Sequence, residues 1–222
     1  MEDKILLVKM KHKRILSFTV ALSFLIFISV PAFAGWLIYH KPAFKGKVID
    51  AETKEPIEGA VVVVTYSKET IGIPHKYSSI IDVRETLTDK NGEFYIPRYI
   101  TVIQPLSFED MANFIVFKPG YGSLPNYQTV PSGITPGDQE IFFSKDIGSE
   151  GELEMWVKEE KGPKLKKGKV TFGIVELPKL KTREERLRAS RVGVSGYGSK
   201  DLPLLYKALN EEERYLGIPE RE

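Results

Sequence analysis

Hydrophobic and polar positions divide the chain into three stretches. An uncharged apolar run from Ile15 to Val30 comes first. Strand-like segments follow. Lys45–Asp50 leads into Ala60–Tyr66, whose unbroken Val61-Val-Val-Val64 lacks alternation, as expected of a strand covered on both faces, and whose β-branched content argues against a helix. Leu87, Phe94 and Ile96 fall on the inward face of a hairpin around Asn91-Gly92, whose residues suit a tight primed turn. Ile115 and Phe117 belong to the next strand, Gln139–Ser144 to another, and Leu153, Met155 and Val157 alternate with polar neighbours in a further one. Between Ser67 and Val83 the pattern predicts a long connection, and loops of that length usually have a purpose.

The third stretch is different. Lys158–Lys169 holds six lysines around Gly162-Pro163 and reads as a solvated linker; Val170–Leu177 reads as one strand. Thr182-Arg-Glu-Glu185 is a capping box that starts a helix to about Arg191. After the glycine-rich break 193–198, Asp201 is positioned to cap a last helix carrying Leu204, Leu205, Ala208, Leu209 and Leu216 at helical spacing, with Gly217 at its end.

Several segments together resemble the carboxypeptidase regulatory-like domain: Gly46-Lys-Val-Ile-Asp50, Pro56 to Val64, Thr86 to Ile96 and Pro119-Gly-Tyr121. The resemblance covers about Lys45 to Lys158. It implies a transthyretin-like, Ig-like β-sandwich and a non-catalytic accessory or surface role. The expected fold class is therefore mainly β, a sandwich with a short α-helical C-terminal extension. The expected divisions are 1–34, 35–160 and 161–222.

Charge sharpens the first division. Five cations and two anions occupy residues 1–14, and Pro31-Ala-Phe-Ala34 offers a small-residue cleavage site after the apolar run. This is the pattern of a secretory signal peptide. The competing reading is an uncleaved anchor, because no charge occurs from Ile15 through Tyr39. Both send the remainder across a membrane, to the periplasm or outside the cell. Of 32 cations and 30 anions in the chain, 27 and 28 remain beyond residue 34, a net charge of −1 that disfavours a nucleic-acid partner. The chain has no cysteine, so an apolar core must supply its stability.

Candidate chemistry is sparse. Beyond residue 34 the histidines are His40 and His75, with no metal-binding spacing, so neither a metal nor a cofactor is expected. Asp89-Lys-Asn-Gly-Glu93 lacks the helices of a calcium-binding hand. Gly193-Val-Ser-Gly-Tyr197 puts Tyr where a nucleophile elbow needs Gly. Hydroxyisourate hydrolase, a related fold, ends in Tyr-Arg-Gly-Ser; here Tyr197-Gly198-Ser199 lacks the Arg. No catalytic residue is assigned. Aromatic and loop residues remain as candidate contacts for a partner or ligand: Tyr66, His75, Tyr77, Tyr121 and Trp156, with Tyr127 in a further loop. The expected function is protein association or structural support in the cell envelope. The alternative is a module binding carbohydrate or a small ligand.

Overall fold

A computed structural model describes residues 37–72, 74–124, 134–160 and 162–221. The signal or anchor segment and Tyr127 lie outside them. Among the described residues no helix is long and apolar enough to cross a membrane.

The chain is mainly β, with two facing sheets and two separate ribbons. One sheet takes β2 (Phe44–Asp50), β5 (Glu93–Ile96) and β11 (Ile174–Leu177) in the order β11-β2-β5. The other takes β3 (Val61–Thr70), β4 (Tyr77–Leu87), β7 (Ser107–Phe117) and β8 (Ser123–Leu124) in the order β4-β3-β7-β8. Phe44, Val48, Phe94, Ile96, Val175 and Leu177 of the first pack on Val62, Val64, Tyr66, Phe114 and Val116 of the second. The strict in–out alternation of β2 is what a sheet with one buried face requires.

The valine run explains the rest of the architecture. Val62 and Val64 enter the sandwich core, while Val61 and Val63 face the opposite way. There they meet Leu205, Ala208 and Leu209 of α3 (Pro203–Leu216), together with Leu202 just before it, Val192 and Val194. All four valines are buried, and each contributes about 1.5–3 kcal/mol relative to exposure. The last helix is therefore docked on the sandwich, and its leucines are core. Polar contacts hold it too: half-buried Arg186 donates two bonds to buried Glu212 (2.6 and 2.7 Å), and Glu212 accepts from the Gly120 amide. Arg186 belongs to α2 (Arg183–Ala189), which begins with the expected Thr182–Glu185 capping box. Gly217 ends α3 in the left-handed region.

Several expectations are corrected. Gln139–Ser144 is not a strand: α1 (Pro136–Ser144) is a helix with proline in its first turn. The helical spacing delivers Phe142 and Phe143 to the core and lets Gln139 and Glu140 accept from the β7 amides of Phe114 and Ala112, which closes that edge of the sheet. The Ser67–Val83 connection shrinks to residues 71–76, because β3 continues to Thr70 and β4 starts at Tyr77. Thr86–Ile96 is no hairpin either. β4 pairs with β3 and β5 with β2, so the turn at 89–92 passes the chain between sheets. Gly92 has φ +73° and Asn91 does not share it; a Cβ on Gly92 would stand 2.4 Å from the Val48 carbonyl oxygen. Leu87 is consequently exposed.

Lys158–Lys169 is not a linker. β9 (Glu150–Glu159) and β10 (Gly162–Thr171) form a ten-pair antiparallel ribbon. Val170–Leu177 breaks at Gly173 (φ +70°), after which β11 lies parallel to β2. The sandwich thus recruits a strand from beyond the expected boundary at 160. Asp201 does not cap α3. Its carboxylate accepts from Gly198, and the helix amides of Leu204 and Leu205 donate instead to Glu85 of β4, at 2.7 and 2.9 Å.

Candidate functional site

The sequence candidates are not gathered into one place. Tyr66 is fully buried on β3, pointing into the core beside a register shift, and cannot serve as a surface contact. His75 and Tyr77 are exposed together at the β3–β4 turn and the start of β4. Tyr121 is half-buried and its backbone bridges to Lys179; burial first, then the charge of Asp50, pushes its phenol above the ordinary range. Asp50 accepts from the Glu52 and Thr53 amides, and the Thr53 bond leads in holding its carboxyl below the usual range. These features stabilise a turn.

Trp156 stands apart on the β9–β10 ribbon. It is 47 % exposed and directly opposite Leu165, itself exposed. Strand alternation places Glu154 and Lys167, another directly opposed pair, on the same face. Along β9–β10 the opposed pairs Glu154–Lys167 and Glu152–Lys169 match charge across the strands. Near the tip Glu159 takes both Lys164 (3.0 Å) and Lys166, which hold its carboxyl below the ordinary range. The ribbon is rooted by Leu153, Val170 and the following Phe172, all buried, and by Met155, which packs on the core and pairs with Ile134. The result is an aromatic–aliphatic platform bordered by both signs of charge. Such a surface can stack on a peptide or sugar ring and orient it with polar contacts.

A second cluster escaped the sequence. β1 (Ile38–Lys41) and β6 (Tyr99–Val102) pair as a ribbon over one end of the sandwich. Under it Tyr39, Tyr66 and Tyr99 meet, with Tyr66 and Tyr99 ring centres 4.5 Å apart and the Arg84 guanidinium 4.6 Å from the Tyr99 centre. Lys41 is only 6 % exposed and is paired with Glu140 at 2.7 Å. Burial first, then the charges of Glu140 and Glu109, pushes the Tyr39 phenol above its ordinary range. Burial also pushes Tyr66 up to about 12, with Arg84 opposing it. Neither buried hydroxyl has a hydrogen-bond partner among the described residues. Phenols shifted this way keep their protons at neutral pH and cannot act as bases. Their work here is packing. Lys41 carries no pattern a sequence would show, because its burial depends on Glu140, 99 residues away.

A cleft of about 340 Å³ lies on the other face of the second sheet, between Thr65, Ile80 and Ile115 and the segment 191–195. Ser195 lines it without a histidine beside it among the residues that form the cleft. No group of three or more His, Asp or Glu side chains that could hold a metal occurs among the described residues. Compared with known proteins, the chain matches no family model, no curated protein and no solved structure.

Proposed function

We propose that the protein is an exported, non-catalytic cell-envelope component that works by protein association, and that the Trp156 face of the β9–β10 ribbon is its contact surface. The observation that carries this reading is the platform itself. A large indole held half in water, on a ribbon rooted by three buried residues, contributes little to the core. The resemblance to carboxypeptidase regulatory-like modules, which are mostly accessory domains, supports the same direction. The protein's N-terminal segment supplies the export signal in this reading.

Affinity capture from the native envelope fraction tests it. Wild-type protein is expected to retain a reproducible partner that Trp156→Ala loses while keeping its fold by circular dichroism. Equal recovery by both proteins would refute the assignment of the face. The second reading, a carbohydrate- or small-ligand-binding module, is favoured by the cleft beneath residues 191–195. Glycan-array binding that survives Trp156→Ala would move the function there.

A further inference from the structure

The β1–β6 ribbon is amphipathic in the wrong sense for a surface in water. Its inward face carries Tyr39, Lys41, Tyr99 and Thr101; its outward face carries Ile38, His40, Ile100 and Val102. Ile38, Ile100 and Val102 are all exposed, Val102 at 75 %. A lysine is buried and paired with Glu140, while three aliphatic side chains point out. The apolar surface continues in the turn after β6. Leu106, 61 % exposed, is held at φ +64°, a conformation that a branched side chain seldom adopts. Its carbonyl accepts from Ile71, which is also exposed. Strain and apolar exposure at one loop tip are a combination expected of a surface that is covered in use.

The neighbouring chain says by what. Residues 15–37 are uncharged, 23 residues that as a helix would extend about 34 Å, close to the roughly 30 Å of a hydrocarbon core. β1 begins at the next residue, Ile38. In the sequence only seven residues, 31–37, none of them charged, separate the apolar run Ile15–Val30 from β1. A chain anchored by that run therefore leaves the bilayer at the ribbon. In the sequence Trp36 falls at the end of the uncharged stretch, where membrane-spanning segments favour aromatic residues, and exposed Arg98 directly precedes β6, a residue type suited to headgroup phosphates.

We propose that the outward face of the β1–β6 ribbon lies on the lipid bilayer, with Ile38, Ile100 and Val102 entering the interfacial region beside the point where the chain emerges. The inference rests on the anchored form of the export reading, in which residues 1–34 are retained. It gives the sandwich a fixed orientation. Lys90, in the turn after β4, lies at the opposite end of the second sheet: Leu87 pairs with Val61, and the ten residues from there to Thr70 span about 30 Å.

The chain has no cysteine, so single labels are unambiguous. Full-length Val102→Cys and Lys90→Cys, isolated from host membranes, would each carry an environment-sensitive fluorophore in phosphatidylethanolamine–phosphatidylglycerol vesicles. Nitroxide on the lipid acyl chains is expected to remove most emission at position 102 and leave position 90 unchanged. The intact mass of the same samples reports whether residues 1–34 remain. Retention with no quenching at 102 overturns the membrane contact and leaves the anchored reading standing; a partner protein or second copy covering the face gives this result. Equal quenching at both positions overturns the orientation. A chain beginning at Gly35 and released from the membrane overturns the anchored form and the contact together.

Discussion

The two β-ribbons are the same element used in opposite ways. β1–β6 drives its aromatic residues into the core and is riveted by a buried lysine; β9–β10 is attached through Leu153, Met155, Val170 and Phe172 and displays its Trp156. An isolated two-stranded ribbon is marginal in water, so each must draw stability from elsewhere. The first draws it from tertiary burial of its inner face. The second draws it from ten cross-strand pairs, several of opposite charge, and a short apolar root. Stability and display are thus separated: what is removed from the first ribbon should be felt globally, and what is removed from the tip of the second should not.

Tyr39→Ala is the strongest challenge to that separation. It removes a fully buried ring that meets Tyr66 and Tyr99, and should cost about 3–5 kcal/mol in urea unfolding. A loss below about 1 kcal/mol would mean the ribbon is not part of the core. Alkali should act on the same place with a smaller effect. Both phenols have folded-state values above the unfolded value of about 10, so their neutral forms are favoured by folding. Their contribution is complete below pH 10 and is withdrawn as pH rises toward the folded values, by up to about 1.4 kcal/mol per phenol per pH unit. Denaturation midpoints should hold from pH 8 to about 10 and fall beyond, with the decline reduced in Tyr66→Phe. The smallest effect belongs to Trp156→Ala, expected within about 0.5 kcal/mol of wild type. A larger loss would show that the displayed ring is structural.

Legibility followed how local each signal was. The valine run was readable because covering both faces of a strand demands apolar residues at every position, and the capping box was readable because its two partners lie three residues apart. The Ile141-Phe142-Phe143 run was not, since a short apolar run suits helix or strand equally; Thr135-Pro136 ahead of it was the available signal. Ser67-Lys-Glu-Thr70 looked like loop because β3 extends there past the covering helix and needs no apolar alternation. The lysines of β10 looked like a linker when read alone. Set against the glutamates of β9 at matching spacing, they are the second half of a hairpin. Of the candidate contacts, Tyr66 failed because aromatic residues near a loop are as often its foundation as its surface. The Lys41–Glu140 pair was beyond sequence altogether.

The carboxylate of Glu85 holding the first amides of α3 ties the start of the last helix to the pairing of β4. Leu202 at the helix start offers no capping side chain, so the helix borrows its cap from a residue about 120 positions earlier, and that residue is in place only once β4 has paired with β3. The start of the last helix is thus satisfied only while β4 is paired, so it reports on the sheet beneath it. Its backbone amides should exchange with solvent as soon as β4 loosens, making the C-terminus a built-in gauge of the integrity of the sandwich.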